Sequence, residues 1–254
     1  MKKLCTAITL TCAALSAQAY TITDAYVGSD DHGYGDVIGA TSKFDISRLT
    51  YSLSGTTLRT RIYTNFVNHI GVFPDADSEG LKRGIGLGDL LLSDQWSPYG
   101  LASNGFAADN AQNGTHWIYG LALDDRWNTS GSVTLYKLAG PNRFTLLESD
   151  DFMSSGWTFR NGQAVAVDTQ SSYALNTGKT GTFQVNAAGG YIQFDMDLSG
   201  TALLDGPEIA FHWAMTGGND VIEGKGPVPV SEPASLTLAG LGLLLAGLRR
   251  RRPV

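Results

Sequence analysis

Arg48-Leu49-Thr50-Tyr51-Ser52-Leu53 and Thr57-Leu58-Arg59-Thr60-Arg61-Ile62-Tyr63-Thr64-Asn65-Phe66 alternate polar and apolar residues on either side of Ser54-Gly55-Thr56. A period of two puts every second side chain on one face of a strand, and a short glycine-containing break between two such runs signals a hairpin. The stretch therefore reads as an antiparallel ribbon with one apolar and one polar face. Working outward, residues 89–92, 116–123, 163–167, 181–185, 191–198 and 208–215 read as further strands, and 132–138 is expected to pair with 143–147 across Gly140-Pro141-Asn142. Asn161-Gly162, Gly189-Gly190 and Gly206-Pro207 mark turns between them. No window of about eleven residues in this body holds a 3.6-residue apolar period. The pattern predicts an all-β fold, a single antiparallel β-sandwich or jelly-roll-like domain, with a single closed barrel as the alternative.

Both ends of the chain read as membrane signals. Met1-Lys2-Lys3 is a basic start, residues 4–15 are an apolar stretch diluted by threonine, and Ala17-Gln18-Ala19 is a small-residue cleavage pattern, so a signal peptide cut before Tyr20 is expected. Cys12 does not read as a lipidation site, because Thr11 stands where a small residue would precede it. At the other end, Ser231-Glu232-Pro233-Ala234-Ser235 leads into an uncharged run that stops at Arg249-Arg250-Arg251-Arg252. Residues 234–248 would make a helix of roughly 22 Å against a hydrocarbon core of about 30 Å, a marginal transmembrane span that snorkelling arginines extend. Arginine clusters stay on the cytoplasmic side, so the preceding domain is expected outside.

These residues carry a resemblance. The tail resembles that of PEP-CTERM proteins, bacterial exported proteins with a Pro-Glu-Pro-type motif, an apolar helix and an arginine cluster. Here the motif is Ser231-Glu232-Pro233, with serine in place of the first proline. Residues 209–224, ending Asn219-Asp220-Val221-Ile222-Glu223-Gly224, resemble a segment recurrent in exported proteins of this class, although Gly217 stands where a cysteine often follows the threonine. The resemblance implies export, transient anchoring in the cytoplasmic membrane and cleavage by an exosortase, with signal peptidase and exosortase as processing partners and a final place at the cell surface or in the extracellular matrix. It implies no catalytic activity. The organisation expected is a signal peptide over 1–19, an extracytoplasmic domain over 20–224, a linker over 225–230 and a sorting tail over 231–254.

Without Lys2, Lys3 and the four terminal arginines the body keeps 12 basic residues, and without Glu232 it keeps 23 acidic ones, a net charge of −11. Such a body lacks the basic face that nucleic-acid binding needs. Both cysteines, Cys5 and Cys12, fall in the signal peptide, which excludes thiol catalysis and cysteine metal sites from the domain.

Catalytic motifs are absent: there is no nucleophile elbow, P-loop or dinucleotide fingerprint, and the four histidines have no ligand spacing. No catalytic residue and no required cofactor is assigned. Asp30, Asp31 and Asp36, spaced by glycines, could place oxygens around calcium, although aspartate and glycine also crowd ordinary turns. Among five tryptophans, Trp96 and Trp127 sit in polar, turn-forming contexts, Trp96 with Tyr99 nearby, and could present flat faces to sugar rings. Asp36-Val37-Ile38-Gly39 and Asp220-Val221-Ile222-Glu223-Gly224 echo each other too briefly to indicate duplication. The expectation is an exported structural or adhesive protein associated with exopolysaccharide. The alternatives are a carbohydrate-binding module with structural calcium and, further off, a polysaccharide hydrolase.

Overall fold

A computed structural model describes residues 18–29, 35–73, 83–153 and 158–228. The hairpin forms where the alternation places it, as β2 (Ile46–Ser54) and β3 (Thr57–Thr64). Their turn uses Gly55 at φ 61°, a conformation that costs glycine nothing. Strand β3 ends at Thr64, whose hydroxyl accepts from the Phe66 amide and starts a 3-10 turn over Asn65–Asn68.

The other strands are β1 (Ala19–Thr23), β4 (Leu90–Ser93), β5 (Tyr119–Leu123), β6 (Ser130–Leu138), β7 (Leu146–Glu148), β8 (Ala164–Val167), β9 (Ala174–Asn186), β10 (Tyr191–Asp197), β11 (Glu208–Ala214) and β12 (Val221–Pro227). Ten of them form one antiparallel sheet in the order β1-β2-β3-β10-β9-β6-β5-β4-β11-β12, and β7 and β8 form a separate ribbon. The fold is all-β as expected. The two layers expected of a sandwich are opposite walls of a single sheet that curls until its ends nearly meet.

The near closure is made by side chains. Among the described residues β1 and β12 form no ladder, yet they lie against each other. A Cβ on Gly224 would sit 2.6 Å from Ile22 Cγ2, and one on Gly226 would sit 2.1 Å from Tyr51 Oη. The glycines leave room for these two side chains, and the Tyr51 hydroxyl donates to the Pro227 carbonyl at 2.8 Å. Lys225–Pro227, read from sequence as the start of a linker, therefore complete β12. Glycine and proline there serve close approach at a sheet edge, where proline is tolerated.

A second correction concerns residues 143–147. They do not pair with β6, which lies between β5 and β9. Asn142–Phe144 instead make a 3-10 turn, and β7 pairs with β8 to form the separate ribbon.

That ribbon covers the outside of β4, β5 and β11. Inside the curl lies the main core, with Leu49, Leu58, Ile62, Leu90, Phe194, Phe211 and Trp213. Outside, Leu91, Trp117, Ala122, Leu146, Val167 and Ala210 form a second core. Gly120 permits the approach, since a Cβ there would meet Val167 Cγ2 at 2.3 Å. Asp89 pins the layers: Oδ1 accepts from the Leu123 amide at 3.0 Å, Oδ2 from the Val167 amide at 2.8 Å, and Arg126 lies 3.5 Å away.

Candidate functional site

The β11–β12 hairpin sets His212 directly opposite Glu223, with Trp213 opposite Ile222. Because side chains alternate across a strand, Trp213 and Ile222 enter the inner core while His212 and Glu223 face the covered outer side. His212 Nδ1 lies 2.9 Å from Glu223 Oε2, and Nε2 lies 2.6 Å from the Ala164 carbonyl. A carbonyl only accepts, so Nε2 is the donor to Ala164, and Nδ1 faces the Glu223 carboxylate. Glu223 Oε1 accepts from the Trp96 indole at 2.8 Å and from the Thr115 hydroxyl at 3.0 Å.

Tyr26, Asp109 and Gln163 extend this polar cluster around a void of about 10 Å³, room for one water molecule. Burial first, and then the neighbouring Glu223 charge, push the Asp109 carboxyl up to about 7. Burial likewise raises the Tyr26 hydroxyl above its ordinary value, so it stays protonated and able to donate.

Outward from the cluster, a cavity of about 280 Å³ opens along the seam between β1 and β12. Ile22, Tyr26, Trp96, Phe106, Glu223 and Lys225 line it. Phe106 stacks on Tyr26 with ring centroids 6.2 Å apart and meets Trp96 edge-on at 5.4 Å. Lys225 pairs with Glu208 at 2.9 Å, and Glu208 also accepts from the Trp96 amide at 3.3 Å, so the loop carrying Trp96 is tied to β11 and, through the indole bond to Glu223, to β12. Apolar ring faces, a carboxylate and an ammonium converge on a space at the small end of ligand pockets, which start at about 300 Å³.

Of the residues singled out from sequence, Trp96 enters this site. Tyr99, in the same loop, is 56% exposed and does not line the cavity. Trp127 lies at the other end of β4, with its indole donating to the Gly84 carbonyl at 2.9 Å and the Arg83 guanidinium over its ring at 4.6 Å. Trp96 and Trp127 therefore do not form one binding surface. Asp30 and Asp31 lie outside the described residues. Asp36 is described, and it meets Asp24 and Asp220, with one oxygen from each of the three within 4.8 Å of the others. Ala19 and Tyr20 belong to β1, paired with Ser52 and Tyr51. Ala17, the sorting motif Ser231, Glu232 and Pro233, and the cluster Arg249, Arg250, Arg251 and Arg252 lie outside the described residues. Among the described residues no helix is long and apolar enough to cross a membrane.

Sequence reasoning missed Glu223, His212, Asp109, Tyr26, Asp24 and Asp220 as members of clusters. The first two had a usable signal: they flank the Thr216-Gly217-Gly218-Asn219-Asp220 turn region at positions a hairpin brings into register.

Comparison with known proteins speaks to the tail. Residues 229–252 match the PEP-CTERM protein-sorting motif. The chain is thus an exported, membrane-transiting protein, and the particular route this motif marks is processing by an exosortase. Comparison with curated proteins and with solved structures yields no match.

Proposed function

We propose that the mature protein is a structural or adhesive component of the cell surface or extracellular matrix, and that its β domain acts by holding exopolysaccharide. In this reading the signal peptide is removed before Tyr20, the apolar tail sits briefly in the cytoplasmic membrane, and the exosortase releases or transfers the domain. The observation that carries the glycan assignment is the seam cavity, where Trp96, Tyr26 and Phe106 group three aromatic rings beside Glu223 and Lys225. Aromatic faces flanked by hydrogen-bonding groups suit a sugar ring, which is apolar on its faces and polar at its edge.

A binding role fits better than hydrolysis. Both ring nitrogens of His212 are engaged, and Glu223 already meets the Trp96 indole, the Thr115 hydroxyl and His212. Neither group is poised to exchange a proton with a substrate.

Affinity electrophoresis in gels cast with exopolysaccharide from the producing cells tests the glycan reading. Retardation of the wild type that is lost in Trp96→Ala and kept in Trp127→Ala supports it, while equal mobility of all three proteins overturns it. Mass spectrometry of the mature protein tests the sorting route separately. Termini at Tyr20 and near Pro233 are expected, and a chain still ending at Val254 in wild-type cells removes the processing step.

A further inference from the structure

The three-carboxylate cluster lies on the side of the seam where β1 ends and β12 begins. Asp24 follows β1, Asp36 lies in the segment leading to the single-turn helix α1 (Thr41–Phe44), and Asp220 immediately precedes β12. The backbone brings them together. Ile38 and Asn219 exchange two hydrogen bonds, at 2.7 and 3.0 Å, which bind the Asp36 segment to the β11–β12 turn. Asp220 Oδ2 accepts from the Ile46 amide at 2.5 Å, and Oδ1 from the Val221 amide at 2.8 Å.

We infer that Asp24, Asp36 and Asp220 form a binding site for a hard divalent cation, calcium by size, that fastens the two ends of the sheet. Two observations carry this. Three carboxylate oxygens within 4.8 Å of one another can share one ion at calcium–oxygen distances of about 2.3–2.6 Å, whereas magnesium requires about 2.0–2.1 Å. Independently, both Asp24 oxygens are sealed from solvent and neither accepts a hydrogen bond of good geometry, with the Tyr26 amide giving only partial compensation. Buried carboxylate oxygens are ordinarily hydrogen-bonded or bound to a metal. An oxygen-only donor set favours calcium over softer metals.

The neighbouring charge does not neutralise the cluster. Arg160 is fully buried and donates to the carbonyls of Gly28, Gly35, Asp36 and Gly218 at 2.5–3.0 Å. Its one positive charge acts on Asp24 and Asp36, and Asp45 adds a fourth acid nearby. Burial, then the Asp36 charge, pushes Asp24 up to about 8, and burial, then the Asp24 charge, pushes Asp220 up to about 9.

The inference does not depend on the glycan reading. The test is isothermal titration of the full chain in detergent with calcium alone, at neutral pH. Expected is a dissociation constant between about 10 µM and 1 mM, in the range of calcium sensors and extracellular modules. Asp24→Asn and Asp36→Asn should each weaken binding at least tenfold, and Trp96→Ala should leave it unchanged. Asp220→Asn also disturbs backbone contacts, so the exposed Asp36 provides the variant that keeps the fold. Absence of calcium-dependent heat and of any thermal shift at about 10 mM calcium overturns the inference. So does wild-type affinity in both Asp24→Asn and Asp36→Asn.

Discussion

Strand β3 buries Leu58, Thr60, Ile62 and Thr64 and turns the residues between them outward, whereas β11 buries every residue from Ile209 to Ala214. The two strands belong to the same sheet. They differ because water lies outside β3, while the β7–β8 ribbon lies outside β11. On the outer face of β3, charged groups keep their hydration, and the same holds at the nearby Asp197, where the Ser199 and Thr56 hydroxyls hold the carboxyl well below the usual range. On the outer face of β11 and around the seam, acids lose water, and Asp89, Asp109, Asp24 and Asp220 are all raised. One sheet thus offers a solvated wall that contributes little chemistry and a doubly covered wall where polar groups are confined to fixed partners.

The sharpest test of that contrast is Trp213→Ala. Trp213 is fully buried inside the curl, and its indole donates to the Gly88 carbonyl at 2.9 Å. Truncation leaves a large cavity and an unpaired carbonyl, so urea unfolding should show a loss of about 3–5 kcal/mol. His212→Ala tests the other face of the same strand. It strands Glu223 and the Ala164 carbonyl in the covered layer and should cost about 2–4 kcal/mol by the same measurement. A cost under about 0.5 kcal/mol would mean that this outer face behaves like that of β3.

Legibility follows the same division. The β2–β3 hairpin was readable because solvent on one side enforces alternation, and Gly55 marks its turn. Strand β11 was readable as a strand, but its sequence does not reveal what covers its outer face. The ribbon that does so was misassigned, since Gly140-Pro141-Asn142 has the composition of a hairpin turn while Leu146–Glu148 finds its partner in Ala164–Val167. Strand β12 was not read as a strand, for a related reason: Gly224 and Gly226 resemble linker residues until Ile22 and Tyr51 are seen to fill their space. Of the candidate calcium ligands only Asp36 was legible, because Asp24 and Asp220 join it through pairings far apart in sequence.

The pH dependence sharpens the contrast further. Asp109, Asp24 and Asp220 rise from 3.8 to about 7, about 8 and about 9, so the folded protein holds protons that the unfolded chain gives up near pH 4. Their contribution to stability is complete below about pH 4 and is lost as pH rises through those folded values. The groups facing them are Asp36, Asp45 and Arg160 at the carboxylate cluster, and Tyr26, Glu223 and His212 around Asp109. In chelator, the melting temperature should therefore fall from pH 5 to pH 9. A higher melting temperature at pH 9 than at pH 5 contradicts the buried-acid picture, and saturating calcium should flatten the fall.

The smallest effect belongs to the solvated wall. Arg59 and Asp195 are paired directly across β3 and β10, with Nε and Oδ1 2.6 Å apart, a shorter contact than the His212–Glu223 pair makes. Judged by distance alone, Arg59→Ala would be the costlier change. The Arg59 side chain is 52% exposed, so water replaces much of what the mutation removes and salt screens the rest. The expected cost is within about 0.5 kcal/mol by urea unfolding, smaller still in high salt. A loss above about 1 kcal/mol would show that the β3–β10 wall is held by its surface charges, and that burial on one face or two does not decide which polar pairs matter.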